Sequence, residues 1–418
     1  MIPSRSQVLL VDAVVAEASS VAQNQERTTA RSRKLPKHLL VANRTRTLAA
    51  DRLPSYSMTE EVSPVSFKTF HASFKDILGQ SPTIQLLAED PNGTRMYHEA
   101  CIYDEKTHSV FITSNQIPAS SVPNSPDLPP ELVAAGKTIK IWRIYDSQDE
   151  NSDLKSIRIE DVTPVDLPMA NGGVNYKSGI LICAQGNLSY TGQEGIVFIP
   201  SLQPPYKCHT LVKDFHGRPF NSVNDVIVHP KDGSIWFTDP SYGYWQGIRS
   251  KQELPCQVYR FEPSTGSIRV VAADFMRPNG LCFSPDLETL YVTDTGCIFG
   301  TQEKGLDVTG PSHIYAFDIV PSKFDKGQPL LCNKRLFAYA HGFIPDGIKC
   351  DMEGNVYSGC RDGVEVWNSA GVLIGTVMVE GGVANFCFGL KGAMYMCNET
   401  RVWKAQLGKH VRGALLGI

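Results

Sequence analysis

The stretch Asn224-Asp-Val-Ile-Val-His-Pro-Lys-Asp-Gly-Ser-Ile-Trp-Phe-Thr-Asp239 decides the fold class of this chain. Val226 to Val228 is an apolar run, Lys231-Asp232-Gly233 is a turn, and Ile235 to Thr238 is a second run rich in β-branched and aromatic residues. Strand, Asp-Gly turn, strand reads as a β-hairpin. The pattern returns at Asn279–Asp294 and Asp346–Gly359, and in weaker form at Glu99–Ser114, Asn171–Ala184 and Asn385–Cys397.

A repeated hairpin cannot bury its own faces, so it must stack on its neighbours. Further strand candidates follow the hairpins, such as Gln257–Phe261 after one copy, and Gly363–Asn368 then Gly371–Thr376 after another. Four strands per repeat and six repeats set radially predict an all-β fold, a six-bladed β-propeller, which leaves no long sheet edge exposed. The propeller is expected over 66–418. Residues 1–65 are expected to form an irregular N-terminal extension, poorly ordered or peripheral. Between Arg27 and Arg52 eight Lys and Arg stand against one acidic residue, Asp51, which has the flavour of a transit peptide. Glu17 and Glu26 precede that stretch and it shows no amphipathic period, so targeting is the weaker reading.

Composition narrows the function classes. A formal charge of −3 over 418 residues offers neither the basic face that nucleic acid requires nor attraction to an anionic membrane. No apolar run reaches the roughly 18 residues of a spanning helix. The apolar patch from Val8 to Ala16 is broken by Asp12 and makes a poor signal peptide. Eleven cysteines, with no CxxC pair, sit mostly in apolar strand-like stretches such as those around Cys101, Cys183, Cys282, Cys350 and Cys387. They read as reduced core thiols, and a cytoplasmic location is expected. Asn-x-Ser/Thr sequons at Asn43, Asn92, Asn187 and Asn398 keep a secreted form open. There is no GxSxG elbow, P-loop or GxGxxG motif.

The residues that open the six repeats carry the chemical signal: Glu99, Asn171, Asn224, Asn279, Asp346 and Asn385 all bear a side-chain oxygen. The first strand of a propeller blade lines the central channel, so equivalent starting positions converge on one axis. The competing reading is local, because Asn279-Gly280 and Asp346-Gly347 are turn dipeptides in their own right. If the oxygens converge, two carboxylates and several amide carbonyls form a hard donor set suited to Ca2+, with Mn2+ or Mg2+ compatible. Zn2+ fits less well, since it prefers His and Cys. His98 does not belong to an HExxH motif, because residue 102 is Ile.

At Phe220-Asn-Ser-Val-Asn-Asp-Val226, Arg277-Pro-Asn-Gly-Leu-Cys-Phe-Ser-Pro-Asp286 and Ile344-Pro-Asp-Gly-Ile348 the chain resembles the senescence marker protein/gluconolactonase (SGL) family of calcium-dependent propellers. Within that family it most resembles the fungal lactonohydrolases, through Phe70–Gly79, Phe237–Tyr244, Tyr291–Gly296 and Ser358–Asn368. The resemblance covers about 66–410 and implies metal ligands at Glu99, Asn224, Asn279 and Asp346. It further implies hydrolysis of a small, five-membered lactone. The expected mechanism has the metal polarise the carbonyl and Asp346 act as base, or Asp225 or a metal-bound water if Asp346 is purely a ligand. His98, Asn171, Ser222 and Tyr242 are expected on the substrate side. Ser222 stands where animal gluconolactonases carry an Arg, so their sugar-acid contacts are not implied. Two other readings stay open: a phosphotriesterase on the same metal site, and a non-catalytic propeller that binds a metabolite or protein. Oligomeric state is not legible.

Overall fold

The computed structural model describes residues 63–414, apart from 120–135, 147–156, 168, 189–191, 302 and 326. The extension expected over 1–65 therefore lies almost wholly outside the described residues. Six antiparallel sheets make six blades, four of them four-stranded meanders and two completed by strands from the start of the fold. Their inner strands are Glu99–Asp104, Ala170–Tyr176, Val226–Val228, Pro278–Phe283, Ile348–Cys350 and Phe386–Phe388, which number the blades 1 to 6. The expected hairpins are there, for example Val226 paired with Phe237 and Val228 with Ile235.

Each blade lies between two others, so both faces of its middle strands are buried, and alternating polarity gives way to near-continuous apolar runs. Successive side chains then serve opposite interfaces. In blade 3, Ile235 and Phe237 pack with Leu181 and Ile196 of blade 2, while Trp236 between them packs with Leu281 and Leu290 of blade 4. The core is accordingly six clusters, one at each blade–blade interface. Every cluster is shared by two blades, so the apolar faces of each blade are covered by its neighbours.

The ring closes through a strand that the hairpin pattern does not reveal. Thr83–Glu89 pairs with Arg401–Gln406 as the outermost strand of blade 6, joining the first part of the fold to the last. Leu87 on this strand is buried among Tyr97, Val402 and Tyr395 at the junction of blades 6 and 1. A second early strand, Val65–Thr69, adds a fifth member to blade 5. The helix Ser73–Leu78, also not expected from the sequence, buries Phe74 and Ile77 against blades 5 and 6. Among the described residues no helix is long and apolar enough to cross a membrane.

Leu87→Ala should lower stability by about 2–5 kcal/mol, the usual effect of emptying a buried leucine site. Equilibrium denaturation reads this as a lower midpoint; an unchanged midpoint would show that the closing strand does not hold the ring.

Candidate metal centre and cavity

The start of each inner strand and the end of the antiparallel second strand share one end of the channel, because a hairpin reverses the chain. At that end Glu99, Asn171, Asn224, Asn279 and Asp346, from five different blades, line a single cavity of about 430 Å3. Glu99, Asn224, Asn279 and Asp346 are all less than 9% exposed. The sixth opening residue, Asn385, is fully buried and stands behind the cavity wall. Its Nδ2 donates to Glu99 Oε2 at 2.8 Å, and its Oδ1 accepts the Phe386 N–H at 2.8 Å. It orients a donor rather than being one.

The opening residues are locked blade to blade through their main chain. Thr113 Oγ1 of blade 1 donates to the carbonyl of Asn171 in blade 2 at 3.0 Å. Thr238 of blade 3 donates to the carbonyl of Asn279 in blade 4 at 2.6 Å. Thr293 of blade 4 donates to the carbonyl of Asp346 in blade 5 at 3.0 Å. Blade 2 has Cys183 and Ala184 at the end of its second strand, and there the Gly172 N–H holds the Asn224 carbonyl at 2.9 Å. Asp239 and Asp294, at the ends of second strands, hold the incoming loops. Asp239 accepts the Asn221 and Ser222 N–H groups at 2.9 and 2.8 Å, and Asp294 accepts those of Met276 and Arg277 at 2.9 and 2.8 Å.

The Asn-Gly dipeptides are not turns here. Asn279-Gly280 lies inside the strand Pro278–Phe283. A Cβ on Gly280 would meet the Asp346 carbonyl oxygen at 2.4 Å, and one on Gly172 would meet that of Asn224 at 2.4 Å. Glycine follows these donor residues because the next blade's main chain passes too close for any side chain.

The donor set has what a hard cation needs. Asn171 Oδ1, Asn224 Oδ1 and Asp346 Oδ1 are buried side-chain oxygens without a hydrogen-bond partner, and such orphans are rare in a folded protein. Burial, and after it the Asp346 charge, holds the Glu99 carboxyl well above the usual range. Burial, reinforced by Glu399 and Asp225, pushes Asp346 up to about 7. Two buried carboxyls with no cationic partner in contact are an unfavourable pair that a divalent cation would relieve. Among the described residues no three His, Cys, Asp or Glu side chains group as a metal cluster; the oxygens gathered here are two carboxylates and amide carbonyls.

His98 and Tyr242 also line the cavity. His98 Nδ1 lies 2.8 Å from Glu399 Oε1. Burial opposes the ring's charge, but Glu399 outweighs it and raises His98 to about 9. The Tyr242 hydroxyl bonds Thr295 Oγ1, which also accepts from Asn279 Nδ2 at 3.3 Å. Asp225 and Ser222 are not in the cavity wall. Ser222 Oγ donates to the Pro240 carbonyl at 2.7 Å and accepts the Gly243 N–H at 2.9 Å, so it fastens the loop carrying Tyr242. Asp225 is buried between inner strands, with Oδ1 on the Val226 N–H at 2.9 Å and its carboxyl raised by burial.

Residues that sequence reasoning missed are Arg95, Asn115, Gln246, Arg361 and Glu399, with Ile298 and Leu306 from the loop after the second strand of blade 4. A signal for them existed. Asn115, Arg361 and Glu399 follow the second strands Ser109–Thr113, Val356–Cys360 and Ala393–Asn398 by one or two residues. The same hairpin logic that selected the opening residues selects these.

Thr238→Val removes the hydroxyl that the buried Asn279 carbonyl accepts. A loss of about 1–3 kcal/mol is expected from denaturation, together with weaker metal binding by calorimetry. Unaltered metal affinity would show that the hydroxyl supports the blade but not the donor.

Comparison with known proteins bears on the same region. The sequence profile of the "SMP-30/Gluconolactonase/LRE-like region" matches residues 141–398, more than half of the chain. The lactonohydrolase oryL of Aspergillus oryzae is 33% identical over 229 residues, which are 52% of this chain and 51% of that protein. The chain spans about half the length of the curated relatives it matches. Among solved structures, a gluconolactonase of Xanthomonas campestris superposes with a TM-score of 0.60 at 23% identity, covering 82% of this chain and 94% of that one. A calcium-binding regucalcin of Agrobacterium tumefaciens gives 0.51 at 15% identity, covering 79% of this chain and 95% of that one. The two structures share the fold, and the profile match supplies the lineage: the chain belongs to the SMP-30/gluconolactonase/LRE-like family.

Proposed function

We propose that this chain is a calcium-dependent hydrolase that opens a small lactone, five-membered by the fungal resemblance, to its hydroxy acid. The observation that carries the reading is the set of buried, unpartnered oxygens of Asn171, Asn224 and Asp346 beside Glu99 in one cavity. Family membership supports the reaction class, and the lactonohydrolase and gluconolactonase names of its relatives support the substrate class. Calcium is favoured by the all-oxygen donor set and by the calcium-binding relative of like fold. Glu99, Asn224, Asn279 and Asp346 would hold the ion.

When bound, calcium would supply Lewis-acid polarisation of a lactone carbonyl. The chain's own groups do the rest. Asp346, buried at the cavity and raised to about 7, would take a proton from the attacking water through a carboxylate oxygen that the ion leaves free. Asp225 is the weaker candidate for that role, since it lies outside the wall. His98, anchored at Nδ1 by Glu399, keeps Nε2 as a donor for the departing ring oxygen. Tyr242, Ile298 and Leu306 line the same cavity as the oxygen donors. Free thiols at all eleven cysteines agree with a reducing compartment, the cytoplasm.

The test is acid release from a panel of γ-lactones and a phosphotriester, with added calcium and after chelation. Lactone turnover that disappears with chelator and returns with calcium is expected. Asp346→Asn should lose about 100-fold or more of kcat while its circular dichroism is kept. Near-normal turnover in that variant, with metal retained, removes Asp346 as the base. Cleavage of the phosphotriester alone, or calcium binding without any turnover, replaces the lactonase reading.

A further inference from the structure

The cavity wall carries six ionisable side chains in addition to Tyr242 and Cys360: Glu99, Asp346 and Glu399 on the acidic side, Arg95, Arg361 and His98 on the basic side. Their pairing is uneven. Glu399 is matched by His98 at 2.8 Å and by Asn115 Nδ2 at 3.2 Å. Glu99 and Asp346 face the place where a divalent cation is proposed, and a charge of +2 offsets both. The two guanidiniums are left over. Arg95 and Arg361 are exposed at the cavity, and neither takes part in any ion pair seen among the described residues. Arg95 acts on the His98–Glu399 pair through space, where it opposes the imidazolium and favours the carboxylate. Arg361 has no side-chain hydrogen bond or ion pair seen among the described residues. It also leaves the second strand of blade 5, the blade whose first strand is preceded by Asp346, so its backbone and that of the proposed base share one hairpin.

A metal-loaded cavity of this composition is positive at its wall, and a neutral lactone would leave that charge unused. Guanidinium pairs with carboxylate in a bidentate geometry that an ammonium or amide cannot reproduce. We infer that the substrate is an acidic lactone, one that bears a carboxylate outside the ring, and that Arg361, assisted by Arg95, receives this group. The inference rests on the lactonase reading and narrows its substrate class. Ile298, Leu306, Ile344 and Val383 also line the cavity, beside the polar side chains of Asn115, Gln246 and Thr301, so the rest of the substrate meets a wall of mixed polarity.

The test compares 5-oxotetrahydrofuran-2-carboxylate with its neutral carboxamide. The wild-type protein should prefer the acid by about 10- to 100-fold in kcat/KM, mainly through KM, the range expected for a charged hydrogen bond. Arg361→Ala should collapse that ratio, and Arg361→Lys should restore part of it. Equal use of acid and amide by the wild type, or an Arg361→Ala ratio equal to the wild-type one, overturns the inference while leaving the lactonase reading intact. If no lactone is turned over, calorimetry with 2-hydroxyglutarate decides instead. Binding about 10- to 100-fold weaker in Arg361→Ala supports the anion subsite, and equal binding in the two proteins overturns it.

Discussion

A threonine hydroxyl in one blade, bonded to the main-chain carbonyl of the donor residue in the next, is the contact on which the site depends. Thr113, Thr238 and Thr293 make it at three of the six junctions, to Asn171, Asn279 and Asp346. Propeller blades meet through apolar side chains, and such packing is non-directional. A bond that fixes one blade's opening residue against its neighbour converts loose stacking into a set register, and that register puts oxygens from distant parts of the sequence on one axis. Gly172 and Gly280 serve the same end by letting the main chains approach.

That convergence is unfavourable in the absence of a cation. Burial raises both Glu99 and Asp346, helped by the Asp346 charge at Glu99 and by Glu399 and Asp225 at Asp346, and three oxygens are left without donors. The rest of the fold must supply the stability that this end of the channel lacks, and it does so through six interblade cores and a closing strand. Functional sites concentrate such local costs because the ligand, when present, removes them.

The hairpins were legible because strand, Asp-Gly turn and strand leave a short-range signature, and their six copies fixed the blade count. The opening residues were legible for the same reason: they hold a constant place in a repeat. What escaped was non-local or irregular. Thr83–Glu89 reads as an ordinary strand, and only its pairing with Arg401–Gln406 makes it the closure. Asn385 shares the position and chemistry of the other five, yet it turns its amide to Glu99, a choice set by the neighbouring blade. Ser222 and Asp225 sit in the motif that carries the family likeness but point away from the cavity, Ser222 into its own loop and Asp225 between strands. Arg95 and Arg361 occupy loop positions where no repeat rule was applied.

The central claim is that Glu99, Asn224, Asn279 and Asp346 form one calcium centre. Anomalous diffraction from a calcium-soaked crystal tests it most directly. The account predicts a single strong peak at the cavity floor, ligated by oxygens of these four residues, with waters completing about six to eight ligands. A soaked crystal with no peak there, or with calcium held elsewhere and these oxygens satisfied by water, would contradict it.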